Sequence, residues 1–250
     1  MTHLLEGSQL YKSFGGLMAI NGTDFFLQRG EILGLIGPNG SGKTTLFNLI
    51  AGVFKPDRGR IKFEEADITG AGCARICQLG IARTFQITRP FPLLTVLENV
   101  QLGRAYGSDP ATTLERARIE ADEILGFIGL SPKREVPAGR LGVIDRKRLE
   151  LGKALATKPK VLLLDEIMAG LNPTEIQAAT LLINRIRESG VSVIIIEHMM
   201  RAIMGICHRV VVLNVGKKIA EGDPREVVLN REVIEAFLGE DQGEDQDVED

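Results

Sequence analysis

The chain has 250 residues, 44% hydrophobic and 25% charged, with a formal net charge of −3. That composition is globular and long enough for one large domain, or one domain with an inserted subdomain. It excludes a strongly basic field that would recruit nucleic acid or acidic lipid. Three cysteines argue against a disulfide framework and fit a reducing compartment.

The first residues, Met-Thr-His-Leu-Leu-Glu-Gly-Ser, carry neither a basic region nor an apolar core of signal-peptide type. Residues 1–30 alternate and include Phe25-Phe26-Leu27, which predicts antiparallel strands. Glu31–Ile36 is a short apolar run and reads as a buried strand.

The next nine residues are Gly37-Pro38-Asn39-Gly40-Ser41-Gly42-Lys43-Thr44-Thr45, a complete G-x-x-x-x-G-K-[ST]. Gly37, Gly40 and Gly42 lack Cβ, so the backbone can wrap closely and aim successive N–H groups at phosphate oxygens. Lys43 reaches the β- and γ-phosphates, and the Thr44 hydroxyl is placed to ligate Mg²⁺. Leu46–Gly52 reads as a helix ending at glycine, so its positive end faces the anion. A glycine-rich turn with a chance lysine is the bland alternative. Strand, loop and helix in sequence is the context that selects a phosphate loop over it.

Cys73 and Cys77 lie four apart and share a helix face. With Cys207 and His208 they number four donors, but the spacing matches no zinc module, and buried apolar cysteines are expected. Gly80–Phe85 is strand-like and precedes Gln86, whose neutral amide is able to ligate Mg²⁺ and sense a γ-phosphate, although one glutamine proves nothing alone. From about 88 to 140 the pattern changes. Leu93–Tyr106 and Ala111–Gly126 read as helices with no strand between them, punctuated by five prolines.

Later segments alternate again. Strands are expected at Lys160–Asp165, Ser192–Glu197 and Arg209–Asn214, with a helix over Thr174–Glu188, which argues for a parallel sheet flanked by helices. Val161–Leu164 runs into Asp165 and Glu166. Beside a phosphate loop such acids serve as a Mg²⁺ ligand and as the group that polarises attacking water. His198 follows the strand at 192–197 and reads either as a surface histidine or as a γ-phosphate contact. The longest apolar runs, such as Val191–Ile196, are strand-length and too short to span a bilayer. Residues 239–250 hold seven acids and no base, leaving +4 on the rest, and read as a solvated disordered end.

Together these residues resemble the ATP-binding cassette of ABC transporters over roughly residues 3–239. Gly37–Thr45 is similar to Walker A, Val161–Glu166 to Walker B, Gln86 to the Q-loop glutamine, His198 to the switch histidine and Ala169–Pro173 to the D-loop. Phe14 sits where the family stacks an aromatic on adenine. The stretches Gly80–Gln86, Phe91–Val100, Ala169–Pro173, Ile196–Met200 and Glu232–Glu240 resemble the longer ATPase subunit of branched-chain amino acid importers. The lipopolysaccharide-export ATPase has a similar end but matches less well around Gln86.

The resemblance implies an α/β P-loop NTPase cassette: a mostly parallel sheet core, an N-terminal antiparallel β-subdomain and an inserted helical subdomain. It implies one ATP-binding domain over 1–239, with the helical part at about 88–157 and the acidic tail at 240–250. It also implies ATP and Mg²⁺ as cofactors, with Glu166, His198 and Gln86 catalytic and Thr44, Gln86 and Asp165 around the metal. The partners would be a second cassette (a different chain, or a copy), membrane permease subunits and, indirectly, a solute-binding protein. The location would be the cytoplasmic face of the inner membrane, peripheral through the permease, with no nucleic acid partner. A GTPase is disfavoured because no Asn-Lys-x-Asp occurs. A non-hydrolytic, ATP-gated interaction module is the rival reading.

Two departures stand out. The family signature Leu-Ser-Gly-Gly-Gln aligns with Leu141-Gly142-Val143-Ile144-Asp145, and Ile167 stands where proline usually follows the Walker B glutamate. Asp145 is expected as an N-cap that would also repel a partner's γ-phosphate. Two readings follow: a heterodimer with one weakened site, or recognition by backbone N–H groups at 142–145.

Overall fold

The computed structural model describes residues 2–84, 90–197 and 199–241, with side chains as far as 238. The chain divides into two compact units, residues 1–71 with 194–250, and residues 72–193.

In the first unit, β1 (Leu5–Phe14) and β2 (Leu17–Leu27) form an antiparallel hairpin in which Phe14 pairs with Leu17. The two-residue loop is Gly15-Gly16 at φ 52° and 93°, the left-handed pair a tight hairpin turn requires. β4 (Arg58–Phe63) and β5 (Ala66–Asp67) complete a sheet of order β2-β1-β4-β5. β3 (Ile32–Ile36) is buried at every position. It pairs in parallel with β9 (Arg209–Asn214), which pairs antiparallel with β10 (Lys217–Gly222). Continuous apolar runs such as Ile32–Ile36 belong to strands covered on both faces. Helices α1 (Lys43–Ile50), α7 (Met200–Ile206), α8 (Pro224–Val227) and α9 (Arg231–Asp241) belong to the same unit.

In the second unit, α2 (Cys73–Leu79) leads into β6 (Ile81–Arg83), which pairs in parallel with β7 (Val161–Asp165). Between these strands the described residues are helical: α3 (Val96–Arg104), α4 (Leu114–Ile128), two 3₁₀ turns at 131–133 and 138–140, and α5 (Val143–Ala156). They share a core built on Val96, Val100, Ala121, Leu125 and Leu149. Arg104 is fully buried and donates to Glu120 and to the carbonyls of Asp109 and Ala156. α6 (Pro173–Glu188) follows β7. The remaining strand, β8 (Ser192–Ile196), runs across the boundary between the units.

The expected α/β class is therefore present, with an antiparallel N-terminal sheet and parallel strand pairs. Two expectations are corrected, the buried cysteines and the N-cap of α5. Cys73 is exposed, Cys77 is partly buried and Cys207 is largely enclosed, so the cysteines are not uniformly buried. Among the described residues no cluster of His, Cys, Asp or Glu is placed to hold a metal, and His208 Nδ1 instead accepts the Ile32 N–H at 3.1 Å. The N-cap of α5 is Gly142, not Asp145, which occupies the first turn and pairs with Lys133. No helix among the described residues is long and apolar enough to cross a membrane. Gln86, His198 and most of the acidic tail, residues 242–250, lie outside the described residues.

Candidate nucleotide and catalytic site

The phosphate loop follows β3 without a break and opens α1. Two glycines show why the motif needs them. A Cβ on Gly37, at φ 145°, would stand 2.0 Å from the Leu213 carbonyl oxygen, and one on Gly42, at φ 104°, 2.5 Å from that of Ala19. Only glycine accepts both the left-handed φ and the contact. Gly42 is also the N-cap of α1, with no side-chain cap bond, so the first-turn N–H groups of the helix are presented to a ligand.

Lys43 is 6% exposed. Its ammonium donates to the carbonyls of Gly37 at 2.7 Å and Pro38 at 2.8 Å, with Ser41 Oγ at 3.5 Å. The charge is thus held inside the loop, where an anion would meet it. Ser41 N–H donates to the Pro38 carbonyl, and the Ser41 carbonyl accepts from Gly216. Asn39 and Gly40 form the exposed tip, and Pro38 is buried. Thr45 is half-buried and Thr44 exposed, and the Thr44 hydroxyl has no hydrogen-bond partner among the described residues.

Phe14 ends β1, is 42% exposed, and meets Phe54 edge-on with centroids 5.1 Å apart. Asp57 fixes this strand end. It accepts from Lys12 Nζ, Ser13 N–H and Ser13 Oγ, and these bonds hold its carboxyl down at about 2. A half-exposed ring held this way suits stacking on a planar base.

In the second unit β7 delivers the acids. Asp165 is 4% exposed, and its Oδ2 lies 2.7 Å from Arg83 Nη2. Glu166 follows at φ 49°, a left-handed conformation that a non-glycine residue adopts only under local constraint. Lys147 of α5 donates to the carbonyls of Ile167 and Ala169, so the turn after Glu166 is tied to that helix. Leu141 is buried, while Gly142 and Val143 are exposed. α5 begins there without a side-chain cap on its first N–H groups.

Sequence reasoning missed Arg83, Lys147 and Asp57. Arg83 stands inside the quoted Gly80–Gln86 stretch, but nothing in its spacing tells which acid it meets 82 residues on.

Residues 20–169 match the family model "ABC transporter", and residues 217–242 match "Branched-chain amino acid ATP-binding cassette transporter". The chain is 38% identical to the high-affinity branched-chain amino acid transport ATP-binding protein LivG of Salmonella typhimurium, covering 95% of this chain and 98% of that one. Against BraF of Pseudomonas aeruginosa, described in the same words, identity is 36% with the same coverage. A crystal structure of the ADP conformation of an ATP-binding cassette of an ABC transporter superposes with a TM-score of 0.88 at 33% identity, covering 96% of this chain and 100% of that chain.

Proposed function

From the premise that the chain belongs to the ABC transporter family of ATP-binding cassettes, we propose that it is the ATP-hydrolysing subunit of an importer for branched-chain amino acids or a related small solute. One observation carries the nucleotide role: a glycine-shaped loop that holds the Lys43 ammonium between its own carbonyls and opens onto an uncapped helix. The match at residues 217–242 favours amino-acid import over lipopolysaccharide export.

Phe14 stacks on the adenine. Backbone N–H groups of the 39–45 loop and the Lys43 ammonium bind the phosphates. Glu166 orients the attacking water, and its strained backbone is held by the turn behind it. Gln86 and His198 complete the reading as sensors of the γ-phosphate. Asp165 and Thr44 offer a carboxylate and a hydroxyl, both hard oxygen donors, so the residues present fit Mg²⁺. When bound, Mg²⁺ neutralises charge on the β- and γ-phosphate oxygens. A second cassette supplies its signature region to this chain's ATP, so that ATP binding favours the closed pair and hydrolysis releases it. The helical stretch passes this motion to permease subunits, which place the chain peripherally on the cytoplasmic face of the inner membrane and connect it indirectly to a solute-binding protein. The mismatch between Glu166 and the altered 141–145 segment favours a heterodimer.

The test is reconstitution with the permease and both cassettes. Glu166→Gln should retain ATP and slow phosphate release by orders of magnitude; steady-state hydrolysis at the wild-type rate removes Glu166 from this role. The altered signature also supports a second reading, an ATP-gated module that does not hydrolyse. Absence of phosphate release with the cognate partner and permease present would select it.

A further inference from the structure

We propose that Arg83 is the positioning residue that sets the Asp165 carboxylate for the divalent cation, an inference that rests on the ATPase reading above. β6 and β7 pair in parallel with Arg83 opposite Leu163, two residues before Asp165. The Arg83 side chain runs forward from that register, and its Nη2 reaches Asp165 Oδ2 at 2.7 Å. The next residue holds the same point. Thr84 N–H donates to the Leu163 carbonyl at 2.9 Å, and Thr84 Oγ1 accepts the Asp165 N–H at 3.3 Å. β6 therefore engages Asp165 at its amide and at one carboxylate oxygen. The other oxygen, Oδ1, has no partner among the described residues.

The side chains of both partners are nearly buried, 11% exposed for Arg83 and 5% for Asp165. A buried carboxylate needs a compensating charge, and a planar guanidinium sets its rotation more firmly than a point charge does. Groups that hydrogen-bond a metal-ligating carboxylate orient it and raise cation affinity. The arrangement leaves one oxygen turned to the protein and one available to a cation or its bound water.

The experiment titrates ATP binding by full-length wild type, Arg83→Met and Arg83→Lys, in EDTA and over a Mg²⁺ series. Arg83→Met should raise the Mg²⁺ concentration for half-maximal enhancement about 10- to 100-fold. Its cation-free ATP affinity should stay within about twofold of wild type, because Lys43 and the loop amides carry that term. Arg83→Lys should fall between the two, and it keeps the buried charge, so it decides the matter if Arg83→Met does not fold. An unchanged Mg²⁺ dependence in the variants overturns the proposal. So does a tighter one, which would make Arg83 a competitor of the cation, or an equal loss of affinity with and without Mg²⁺, which would make it structural. A wild-type chain whose ATP binding gains nothing from Mg²⁺ overturns the ATPase reading itself, and the Arg83 assignment with it.

Discussion

The Lys147 ammonium lies 3.1 Å from the Ile167 carbonyl oxygen and also bonds the carbonyl of Ala169, so α5 is fastened to the turn immediately after Glu166. The Ala169 N–H in turn bonds the Glu166 carbonyl at 3.3 Å. Hydrogen bonds from a charged donor contribute about 1.5–3 kcal/mol. Lys147→Met should free the turn, let Glu166 relax from its left-handed backbone, and lower kcat about tenfold with KM for ATP little changed. Lys147→Arg should recover much of the rate. Steady-state kinetics on the reconstituted complex checks both; an unaffected kcat separates this contact from catalysis.

Cysteine reactivity offers a second check on packing. Burial pushes the Cys207 thiol up to about 12, with Glu197 and Glu31 adding in the same direction, and burial also raises Cys77. The thiolate is the reactive form, so both should resist alkylation near neutral pH. Cys73 is exposed and should react first. Mass spectrometry after brief iodoacetamide treatment of the native protein should find label at Cys73 ahead of the others. Label at Cys207 before Cys73 would contradict the fold of the first unit.

Much of this architecture is legible in sequence where burial dictates it. Ile32–Ile36, Val161–Asp165 and Arg209–Asn214 match their expected strands because buried strands leave uninterrupted apolar runs, wholly buried in the first two and partly exposed only at the ends of the third. Helix starts are less exact. α3 begins at Val96 rather than Leu93 because Thr95 and Glu98 form a reciprocal cap, a Thr-x-x-Glu signal present in the sequence. α4 begins at Leu114 because Thr113 caps it. The candidate site is legible as the phosphate-loop motif and the Asp165-Glu166 pair, but the Arg83 and Lys147 contacts are set by strand register and helix packing, which no local pattern encodes. Ile144 and Ile167 are separate oddities in the sequence. The structure sets both on the wall of one cavity of about 320 Å³, with Leu151, Leu171 and Leu182.

The helical core of the second unit carries a pH-dependent contact. Glu120 bonds Arg116 at 2.7 Å and Arg104 at 2.5 Å, and these cations hold its carboxyl down at about 2, below the ordinary 4.5. A depressed carboxyl stabilises the fold above its unfolded-state value, and that contribution is lost as pH falls from about 4.5 toward 2. Glu120→Gln leaves the fully buried Arg104 without its carboxylate and should cost about 3 kcal/mol at pH 7. The gap between variant and wild type should narrow below pH 4.5. Urea unfolding at pH 7, 4 and 3 measures it; a gap that is constant with pH rejects the ion-pair account.

The strain at the phosphate loop can be separated from its crowding. Gly42 and Gly30 are both left-handed, at φ 104° and 71°. A Cβ at Gly42 would meet the Ala19 carbonyl oxygen at 2.5 Å and Ile20 Cδ1 at 3.0 Å, whereas at Gly30 nothing lies within 4 Å. Alanine at either position takes on the left-handed penalty of about 1–2 kcal/mol. Only Gly42→Ala must also force apart the start of α1 and the β2 backbone at Ala19. Gly30→Ala should therefore lower the urea midpoint modestly and leave ATP affinity within about twofold of wild type, since it lies outside the loop. Gly42→Ala should lower the midpoint further and weaken ATP binding at least about tenfold, because the amides of the helix start no longer converge on the phosphates. Equal effects of the two substitutions on ATP affinity would show that the close approach at Ala19 does not shape the cradle.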